Sequence, residues 1–483
     1  MTKKYFNFIN GSWKEALNGN TIESRNPAAP LEAVGNFQSS SKEDLSEAII
    51  AADQSFEAWS SLSYIERGSY LYRAAEEMEK MVEEIAETAT KEMGKTFIET
   101  KGEVKRSIAI LKYYAGEGMQ QIGEVIPSAD SETMLYTKRV PLGAVGIIAP
   151  WNFPIAIPIW KIAPALIYGN TVVFKPASES AITGLKIVEV FEKAGLPAGV
   201  LNAVTGKGSI IGEGLVENDH IKGISFTGSN PTGKRIAIGA VERGIKYQLE
   251  MGGKNPSVIL EDADLDQASK MTVDAAMKHT GQKCTATSRV YIQESIYEKT
   301  KEKIIKHIEA IKVGNGMDED TYMGPVATKS QYDSVLAYIE KGKKEGAKLI
   351  YEGKSLTNEL REEGFYIEPT VFEDGKEGMA IVEEEIFGPV IVLMKTSGLQ
   401  DAITKANSSR FGLSAAVFTN NIKNSVIFSD KVDAGMIKVN GETTGSEPHV
   451  PFGGMKDSSS HSREQGKAAK EFFTSIKTIS TTI

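Results

Sequence analysis

Hydrophobic and polar positions follow two different patterns along the 483-residue chain. Between residues 43 and 114, apolar residues recur at spacings of three and four, as in "LSEAIIAADQSFEAW", which predicts amphipathic helices. After Pro141 the pattern changes to short apolar runs bounded by Gly, Pro or Asn, namely "AVGIIAP", "TVVFKP", "VLNAVTG" and "GISFTGS". Helix-like segments separate these runs. The alternation predicts a parallel sheet with helices on both faces.

A second series of strand-like runs lies further along the chain. It comprises "NPSVILEDADLD", "ATSRVYIQ", "AAVFTN" and "GMIKVNG", with helical segments such as "IYEKTKEKIIKHIEAI" between them. We infer a second α/β domain. No repeat, low-complexity tract or long linker separates the two series, so we expect the domain boundary to fall in an ordinary loop.

Composition and charge narrow the class of protein. Hydrophobic residues make up 41% of the chain, and the net charge of −9 provides no basic surface for nucleic acid or anionic lipid. The most apolar region, residues 143–174, is interrupted by Asn152, Lys161, Asn170 and prolines, so it is a poor membrane span. With one cysteine and no secretory pattern in the first residues, we expect a cytoplasmic protein whose partners are small molecules.

Two glycine-rich stretches are candidates for binding a phosphate. "VTGKGSIIGEG" contains Gly206, Gly208 and Gly212, which miss the usual dinucleotide spacing by one residue, and a plain strand-to-helix turn accounts for them better. In "ISFTGSNPTGKRI" an apolar strand runs through Gly228 and Ser229 into a helix-competent segment. Backbone N–H groups and the Ser229 hydroxyl would face a phosphate there, although a capped helix has the same pattern.

Two residues are candidates for catalysis. Cys284 lies among polar and small residues in "GQKCTAT", which favours a reactive thiol over an inert core thiol. Glu250 precedes two glycines and an apolar strand, where burial would raise its pKa enough to accept a proton from water; a surface glutamate is the alternative. His279 lies close to Cys284 in sequence, so a cysteine–histidine hydrolase stays open. No residues have metal-ligand spacing, and we expect no catalytic metal.

Seven strings carry a resemblance to a known family. They are "PWNFP", "GNTVVFKPA", "FTGSNPTG", "LEMGGKNP", "GQKC", "EEIFGPV" and "PFGG", in the order and approximate separations of the aldehyde dehydrogenase superfamily. The chain resembles this superfamily over nearly its whole length. The resemblance implies an α/β aldehyde dehydrogenase-like fold. It has a Rossmann-type cofactor domain (1–122 and 142–252), an α/β catalytic domain (253–453) and a small β oligomerisation element (123–141 and 466–483) of a homodimer or homotetramer.

The resemblance also implies catalytic roles. Cys284 would attack the aldehyde carbon to form a thiohemiacetal and then a thioester, while Asn152 and the Cys284 N–H stabilise the oxyanion. Glu250 would activate the water that hydrolyses the thioester, and its presence favours water over coenzyme A or phosphate as acyl acceptor. Lys161 matches a lysine behind that glutamate. Glu464 matches a proton-relay glutamate, for which a solvated surface charge is the alternative.

Cofactor contacts are implied in the same way. Lys175 matches the residue at the adenosine ribose, Glu385 the residue at the nicotinamide ribose, and Ser229 the residue at the pyrophosphate. Phe387 would pack near the nicotinamide, and Trp151 near the adenosine half. The full set of expected cofactor contacts is Trp151, Lys175, Ser178, Gly208, Gly228, Ser229, Glu385 and Phe387.

One departure from the family pattern concerns the choice of cofactor. Relatives that select NAD commonly have a glutamate three residues after the lysine, whose carboxylate bonds the ribose and repels a 2′-phosphate. Ser178 occupies that position in "KPASES", and its hydroxyl can donate to a phosphate. We therefore predict that NADP is accepted and preferred over NAD, although Glu179 next to it acts in the opposite direction.

The substrate is suggested by "NFPIAIPIWKIAPALIYGNTVVFKPA" and "VNGETTGSEPHVPFGGMKDSSSHSREQG", which most resemble enzymes of α-ketoglutaric semialdehyde (2,5-dioxopentanoate). Succinic semialdehyde and aromatic aldehydes such as vanillin or benzaldehyde are the alternatives. The access tunnel is expected around residues 155–159 and 441–450, with no arginine assigned to a substrate carboxylate. A crystallin-like structural protein would have lost its catalytic residues, whereas Cys284, Glu250 and Asn152 are all present.

Overall fold

The N-terminal part of the chain forms two short hairpins and four helices. The computed structural model describes residues 2–353 and 356–482. Helices α1 and α2 begin with capping boxes on Ser41 and Ser63, whose side chains bond the amide three residues on. The elements are β1 (Asn7–Ile9), β2 (Ser12–Lys14), β3 (Thr21–Asn26), β4 (Ala29–Gln38), α1 (Lys42–Ser61), α2 (Tyr64–Lys80), α3 (Val82–Met93) and α4 (Phe97–Glu117).

The next part of the chain contains β5 and β6, which belong to a separate small sheet, and five strands of the first large sheet. Its elements are β5 (Val125–Ile126), β6 (Thr133–Pro141), β7 (Ala144–Ile148), α5 (Ala156–Ile167), β8 (Thr171–Lys175), α6 (Ala181–Lys193), β9 (Leu201–Ala203), α7 (Glu213–Glu217), β10 (Ile221–Thr227), α8 (Asn230–Glu242) and β11 (Lys246–Glu250). The strand order is β11-β10-β7-β8-β9-β1-β2. The first five of these strands are parallel, and β1 and β2 add an antiparallel edge.

The rest of the chain builds the second large sheet, with strand order β14-β15-β16-β13-β12-β18-β19. All neighbours are parallel except β14, which is antiparallel to β15. The elements are β12 (Asn255–Ile259), α9 (Leu265–Met277), β13 (Thr287–Gln293), α10 (Tyr297–Glu309), α11 (Lys329–Lys344), β14 (Lys348–Glu352), α12 (Asn358–Glu363), β15 (Thr370–Glu373), α13 (Ala380–Glu383), β16 (Val390–Thr396), α14 (Leu399–Asn407), β17 (Phe411–Gly412), β18 (Ser414–Phe418), α15 (Ile422–Lys431), β19 (Met436–Val439), β20 (Met455–Lys456), α16 (Ala469–Phe473) and β21 (Thr474–Thr482).

Both α/β regions predicted from the hydrophobic pattern are confirmed. All eight apolar runs contain strands, whereas six strands of the two large sheets were not predicted, namely β1, β2, β11, β14, β15 and β16. Parallel strands bring their carboxyl ends to one edge of a sheet, which is where such sheets bind ligands. In the first sheet this edge carries Ile148, Lys175, Thr227 and Glu250, the last residues of β7, β8, β10 and β11.

A small third sheet, β21-β6-β5, contains the two segments expected to serve oligomerisation. Strand β21 pairs antiparallel with β6 from Thr474↔Pro141 to Thr482↔Thr133. Large apolar side chains are exposed on this sheet, including those of Val125, Met134 and Ile476. The division into domains and the assembly of subunits stay predictions.

Helix α5 lies at the centre of the first core, where all twelve of its residues are buried. Its first two amides, on Ile155 and Ala156, donate to Glu103 Oε1 on α4, and Glu103 is paired with Lys95 at 2.7 Å. This contact fixes where α5 starts, and with it the preceding "PWNFP" loop. In the described ranges, we find no helix of the length and apolarity needed to span a bilayer.

Candidate active site

The expected catalytic residues lie on separate loops that meet at one cavity of about 300 Å³. Asn152 follows β7, Cys284 follows α9, and Glu385 precedes β16. The lining residues are Pro150, Trp151, Asn152, Thr227, Gly228, Ser229, Met251, Gly252, Cys284, Gln331, Ser334, Tyr338, Glu385, Ile386 and Phe387. Seven of the residues singled out in the sequence therefore share this cavity: Trp151, Asn152, Gly228, Ser229, Cys284, Glu385 and Phe387.

The backbone around Cys284 is held by Asn255. The Asn255 amide donates to the carbonyls of Cys284 and Ala286, at 2.8 Å each, and its oxygen accepts the Ser414 amide at 3.0 Å. A Cβ at Gly253 would lie 2.5 Å from the Cys284 carbonyl oxygen, so only glycine fits there. Asn255 was not predicted, although it belongs to the "GGKNP" string that carried the resemblance.

The surroundings of the Cys284 thiol favour its protonated form. Burial raises its pKa, and the nearby carboxylates of Glu385 and Glu250 raise it further. The amides of Cys284 and Thr285 act in the opposite direction, by hydrogen bonding to the sulfur. A base close to the thiol is therefore needed before it can act as a nucleophile at neutral pH.

His279 does not serve as that base. Its ring is buried, packs edge-on against Phe153 at 5.0 Å, and has no hydrogen-bond partner in the described part of the chain. Burial, with Lys95 and Lys283 nearby, holds its pKa well below the usual range. A cysteine–histidine hydrolase requires a hydrogen bond between the two residues, and the structure lacks it here.

Asn152 is buried beside Cys284. One hydrogen of its side-chain amide is donated to the Gln282 carbonyl at 3.1 Å. An amide nitrogen carries two hydrogens, so the second is left for a group in the cavity. The geometry suits the expected oxyanion donor.

Glu250 is 2% exposed and close enough to Cys284 to affect its pKa. Burial raises the pKa of Glu250 well above its usual range, and the Glu464 carboxylate raises it further. Ser459 donates to its Oε2 at 2.7 Å and lowers the pKa, whereas Oε1 has no partner among the described residues. A Cβ at Gly453 would lie 2.7 Å from that Oε1. Glu250 is thus a buried carboxyl group with a high affinity for a proton.

Lys161 and Glu464 form a buried ion pair behind Glu250. Glu464 also accepts the indole N–H of Trp160 at 2.7 Å, and Lys161 donates to Ser225 at 2.9 Å. Glu464 is 1% exposed, so its interpretation as a solvated surface charge is wrong. Lys161 and Trp160 hold the Glu464 carboxylate in place, close enough to Glu250 to raise the pKa of that residue.

Two of the expected adenosine-side residues lie at the end of β8 and in the turn after it. Lys175 is buried, donates to the Pro176 carbonyl at 3.1 Å, and has its pKa lowered to about 8 by burial. Ser178 begins a short 3-10 turn and donates to the Gly206 carbonyl at 3.4 Å. The space over Gly208 is open, because a Cβ there would meet no atom within 4 Å.

The phosphate-side residues lie at the end of β10. Ser229 caps α8, and its hydroxyl bonds Thr232 at 3.0 Å. The Thr227 hydroxyl is buried at the cavity and has no partner in residues 2–353 and 356–482. A ligand oxygen here would satisfy a hydroxyl that the fold leaves unbonded.

Glu385 and Phe387 lie on the other side of the cavity. Glu385 accepts the Gly253 amide at 3.0 Å, and burial raises its pKa to about 7. Phe387 has φ of +57°, and Gln331 donates to its carbonyl at 3.0 Å, which holds this strained backbone. Trp151 packs edge-on against Phe387 at 5.5 Å. Trp151 and Phe387 therefore share this cavity with Cys284, and the expected place of Trp151 near the adenosine half stays a prediction.

The chain is similar to known proteins over nearly its whole length. A sequence model described as the aldehyde dehydrogenase family matches residues 13–479. The chain is 54% identical to an alpha-ketoglutaric semialdehyde dehydrogenase of Bacillus subtilis (strain 168), covering 98% of this chain and 97% of that protein. It is 42% identical to a 2,5-dioxopentanoate dehydrogenase of Saccharolobus solfataricus, with the same coverage of 98% and 97%. A solved NAD+ complex of an aldehyde dehydrogenase from Bacillus cereus is 36% identical, with a TM-score of 0.96, covering 100% of this chain and 97% of that one.

Proposed function

The chain belongs to the aldehyde dehydrogenase family, and we propose that its substrate is α-ketoglutaric semialdehyde, also called 2,5-dioxopentanoate. It is an NAD(P)-dependent enzyme that oxidises an aldehyde to a carboxylic acid. The observation that carries the proposed mechanism is the meeting of Cys284, Asn152 and Glu385 in one cavity, with Glu250 close to the thiol.

The residues around the cavity fit a nicotinamide dinucleotide. Thr227 and Ser229 offer hydroxyls at the start of α8, where backbone amides also favour an anionic phosphate. Lys175 offers a buried amine, and Glu385 a carboxylate suited to ribose hydroxyls. When bound, the nicotinamide supplies the hydride acceptor of the oxidation.

In the first half of the proposed reaction, the carboxylate of Glu250 takes the proton of Cys284. The thiolate attacks the aldehyde carbon, and negative charge develops on the former carbonyl oxygen. The free N–H of Asn152 and the backbone N–H of Cys284 bind that oxygen. One such donor typically contributes about 2.7–4 kcal/mol to the transition state.

In the second half, the acyl group is held on Cys284 as a thioester. Glu250, once it has released the proton taken from Cys284, removes a proton from the water that attacks the thioester carbon; that proton then passes to the departing sulfur, and the acid and the Cys284 thiol are released. The buried Lys161–Glu464 pair acts on Glu250 electrostatically, and it is our proposed route for the proton to leave. We assign both residues an effect on Glu250 rather than a contact with substrate.

We also propose that NADP is preferred over NAD. The support is the Ser178 hydroxyl, which lies half-buried in the turn after Lys175 and carries no charge to repel a 2′-phosphate. The test compares kcat/KM for both cofactors in the wild type, Ser178→Ala and Ser178→Glu. We expect Ser178→Glu to shift the ratio towards NAD. A strong NAD preference that survives Ser178→Ala would refute the proposal.

A homodimer or homotetramer in the cytoplasm is proposed on two observations. Strand β5 leaves one edge of the third sheet unpaired in the single chain, and apolar side chains are exposed beside it. The single free cysteine is compatible with a reducing compartment. Light scattering coupled to size-exclusion chromatography tests the assembly, and a monomer would refute it.

The proposed activity is tested with a panel of aldehydes, while the absorbance of the reduced cofactor is recorded. We expect kcat/KM to be highest for α-ketoglutaric semialdehyde, lower for succinic semialdehyde, and lowest for benzaldehyde and vanillin. Cys284→Ala should show no turnover. A preference for an aromatic aldehyde would refute the proposed substrate. Turnover of Cys284→Ala at the rate of the wild type would refute the mechanism.

A further inference from the structure

Helix α4 brings Arg106 towards the loop at 441–450, where the access tunnel is expected. Its Nη2 donates to the Ser446 hydroxyl at 2.9 Å and to Gln465 Oε1 at 3.3 Å. Within the described ranges, no carboxylate oxygen lies within 4.0 Å of its guanidinium nitrogens. Arg106 is therefore a cation without a direct counter-charge.

Two buried donors beside Ser446 lack an acceptor. They are Nε of Arg106 and Nε2 of Gln465, neither of which has a hydrogen-bond partner in the described part of the chain. The Gln465 side chain is fully buried, so water is not freely available to it. Buried N–H groups are rarely left unbonded in folded proteins. A carboxylate offers two oxygens with about four lone pairs, and is the ligand that such a cluster suits best.

Burial lowers the pKa of Arg106, and the carboxylates of Glu103 and Glu447 raise it from a longer distance. Glu103 is already bonded to Lys95 and to the start of α5, and Glu447 is exposed. An arginine stays charged in proteins even when buried. The cluster therefore keeps its positive charge for a ligand.

Aromatic rings connect this cluster to the reacting thiol. The Arg106 guanidinium lies 5.8 Å from the centre of the Trp160 ring, and Trp160 lies 5.3 Å from Phe452. Phe452 in turn belongs to the apolar cluster on which Cys284 packs. The indole of Trp160 is fixed by its hydrogen bond to Glu464. An apolar wall thus runs from the thiol to the guanidinium.

We propose that Arg106, together with Gln465 and Ser446, binds the carboxylate of the substrate and selects acidic aldehydes. The inference rests on the proposed function, since it assumes that the substrate carries an acid at the end opposite its aldehyde. In 2,5-dioxopentanoate those ends are four carbon–carbon bonds of about 1.5 Å apart. The aldehyde would reach Cys284 while the chain of the substrate lies along Phe452 and Trp160.

A purely structural role for Arg106 makes a different prediction. If Arg106 only anchors the loop through Ser446, its loss should affect every aldehyde alike. A carboxylate-binding role should affect acidic aldehydes and spare neutral ones. Pentanal is the neutral probe, because it has the same five-carbon length without the acid.

The experiment measures kcat and KM of the wild type, Arg106→Gln, Arg106→Lys and Lys105→Gln with α-ketoglutaric semialdehyde and with pentanal. For Arg106→Gln we expect KM for the acidic aldehyde to rise about 10- to 100-fold at similar kcat, as the loss of a charged hydrogen bond predicts. For pentanal, kcat and KM should each change by less than about twofold. Arg106→Lys should recover part of the affinity. Lys105→Gln removes a charge from an exposed position of the same helix and should resemble the wild type.

The outcomes separate the two proposals. The role of Arg106 would be overturned if Arg106→Gln lost kcat/KM equally for both aldehydes, or for neither. The proposed function would stay intact in that case, provided that the wild type turns over α-ketoglutaric semialdehyde. Wild-type turnover of pentanal without turnover of the acidic aldehyde would overturn both. If Arg106→Gln does not fold, the same comparison is made with Arg106→Lys, which should raise KM for the acidic aldehyde alone.

Discussion

Two buried lysine–glutamate pairs occupy different regions of the molecule. Lys95, just before α4, pairs with Glu103 on α4, which also bonds the start of α5. Lys161–Glu464 joins α5 to the C-terminal loop near Glu250. All four side chains are at most 3% exposed. The chemistry of the pairs is the same, so any difference in what they do must come from their neighbours.

The neighbours give the pairs different roles. The second oxygen of Glu103 accepts hydrogen bonds from two backbone amides at the start of α5, so both of its oxygens already have partners that hold the fold together. Glu464 instead bonds Trp160, and its charge raises the pKa of Glu250. Burying an ion pair adds little net stability when its desolvation is counted. We therefore read the first pair as structural and the second as part of the catalytic site.

The largest expected effect comes from breaking the structural pair. Glu103→Ala leaves Lys95 as an unpaired buried charge and removes the acceptor of two helix amides, and we expect a loss of about 3–5 kcal/mol in stability. Thermal unfolding followed by calorimetry measures it. Glu83→Gln, which breaks the solvent-accessible pair between Glu83 on α3 and Lys101 on α4, should cost no more than about 1 kcal/mol. Equal losses in the two variants would contradict the structural role.

Exchanging both members of each pair for neutral residues tests whether the pair acts on catalysis or on stability. Lys161→Met with Glu464→Gln should keep the melting temperature close to that of the wild type but lower kcat about 10- to 100-fold, because the effect on the base is lost. Lys95→Met with Glu103→Gln should keep kcat within about twofold, since the glutamine oxygen can still accept the α5 amides. Calorimetry and steady-state kinetics measure both. The distinction fails if the two double variants lose the same activity.

A smaller effect is expected in the pH dependence. Glu250 acts in its deprotonated form, so kcat/KM should fall as the pH drops through its pKa. Ser459→Ala removes a hydrogen bond that lowers this pKa and should move the acidic limb up by about one pH unit. Glu464→Gln removes a neighbouring negative charge and should move the limb down. Shifts in the same direction would contradict our assignment of Glu250.

Local sequence strings were enough to predict part of this site. Cys284 and Glu250 each lie in a short string with an unusual composition, whereas Asn152 was assigned through the family resemblance. The hydrophobic period predicted helices between residues 43 and 114 and eight strands, which the backbone follows. Strand β16, in "VIVLMKT", has the β-branched run typical of a buried strand and was within reach of the same reasoning. Strand β11 was less visible, because "KYQLE" mixes charged and apolar residues.

The remaining features depend on contacts between distant parts of the chain. Glu464 lies in a charged stretch typical of a surface, and only its bonds to Trp160 and Lys161, about 300 positions away, explain its burial. Arg106 lies on a helix that was predicted, but its contact with Ser446 spans 340 positions. Local patterns carry no information on such pairings.

The central claim is that Cys284 carries the acyl group and Glu250 activates the water that removes it. The most direct measurement forms the acyl-enzyme of the wild type and of Glu250→Gln with α-ketoglutaric semialdehyde and oxidised cofactor, removes the excess substrate, and follows the attached group by peptide mass spectrometry after acid quenching. We predict an acyl group on Cys284 in both proteins, formed more slowly in Glu250→Gln because the base for the thiol is lost, and with a lifetime about 100-fold longer in that variant. Attachment at another side chain, or equal lifetimes in the two proteins, would contradict the account.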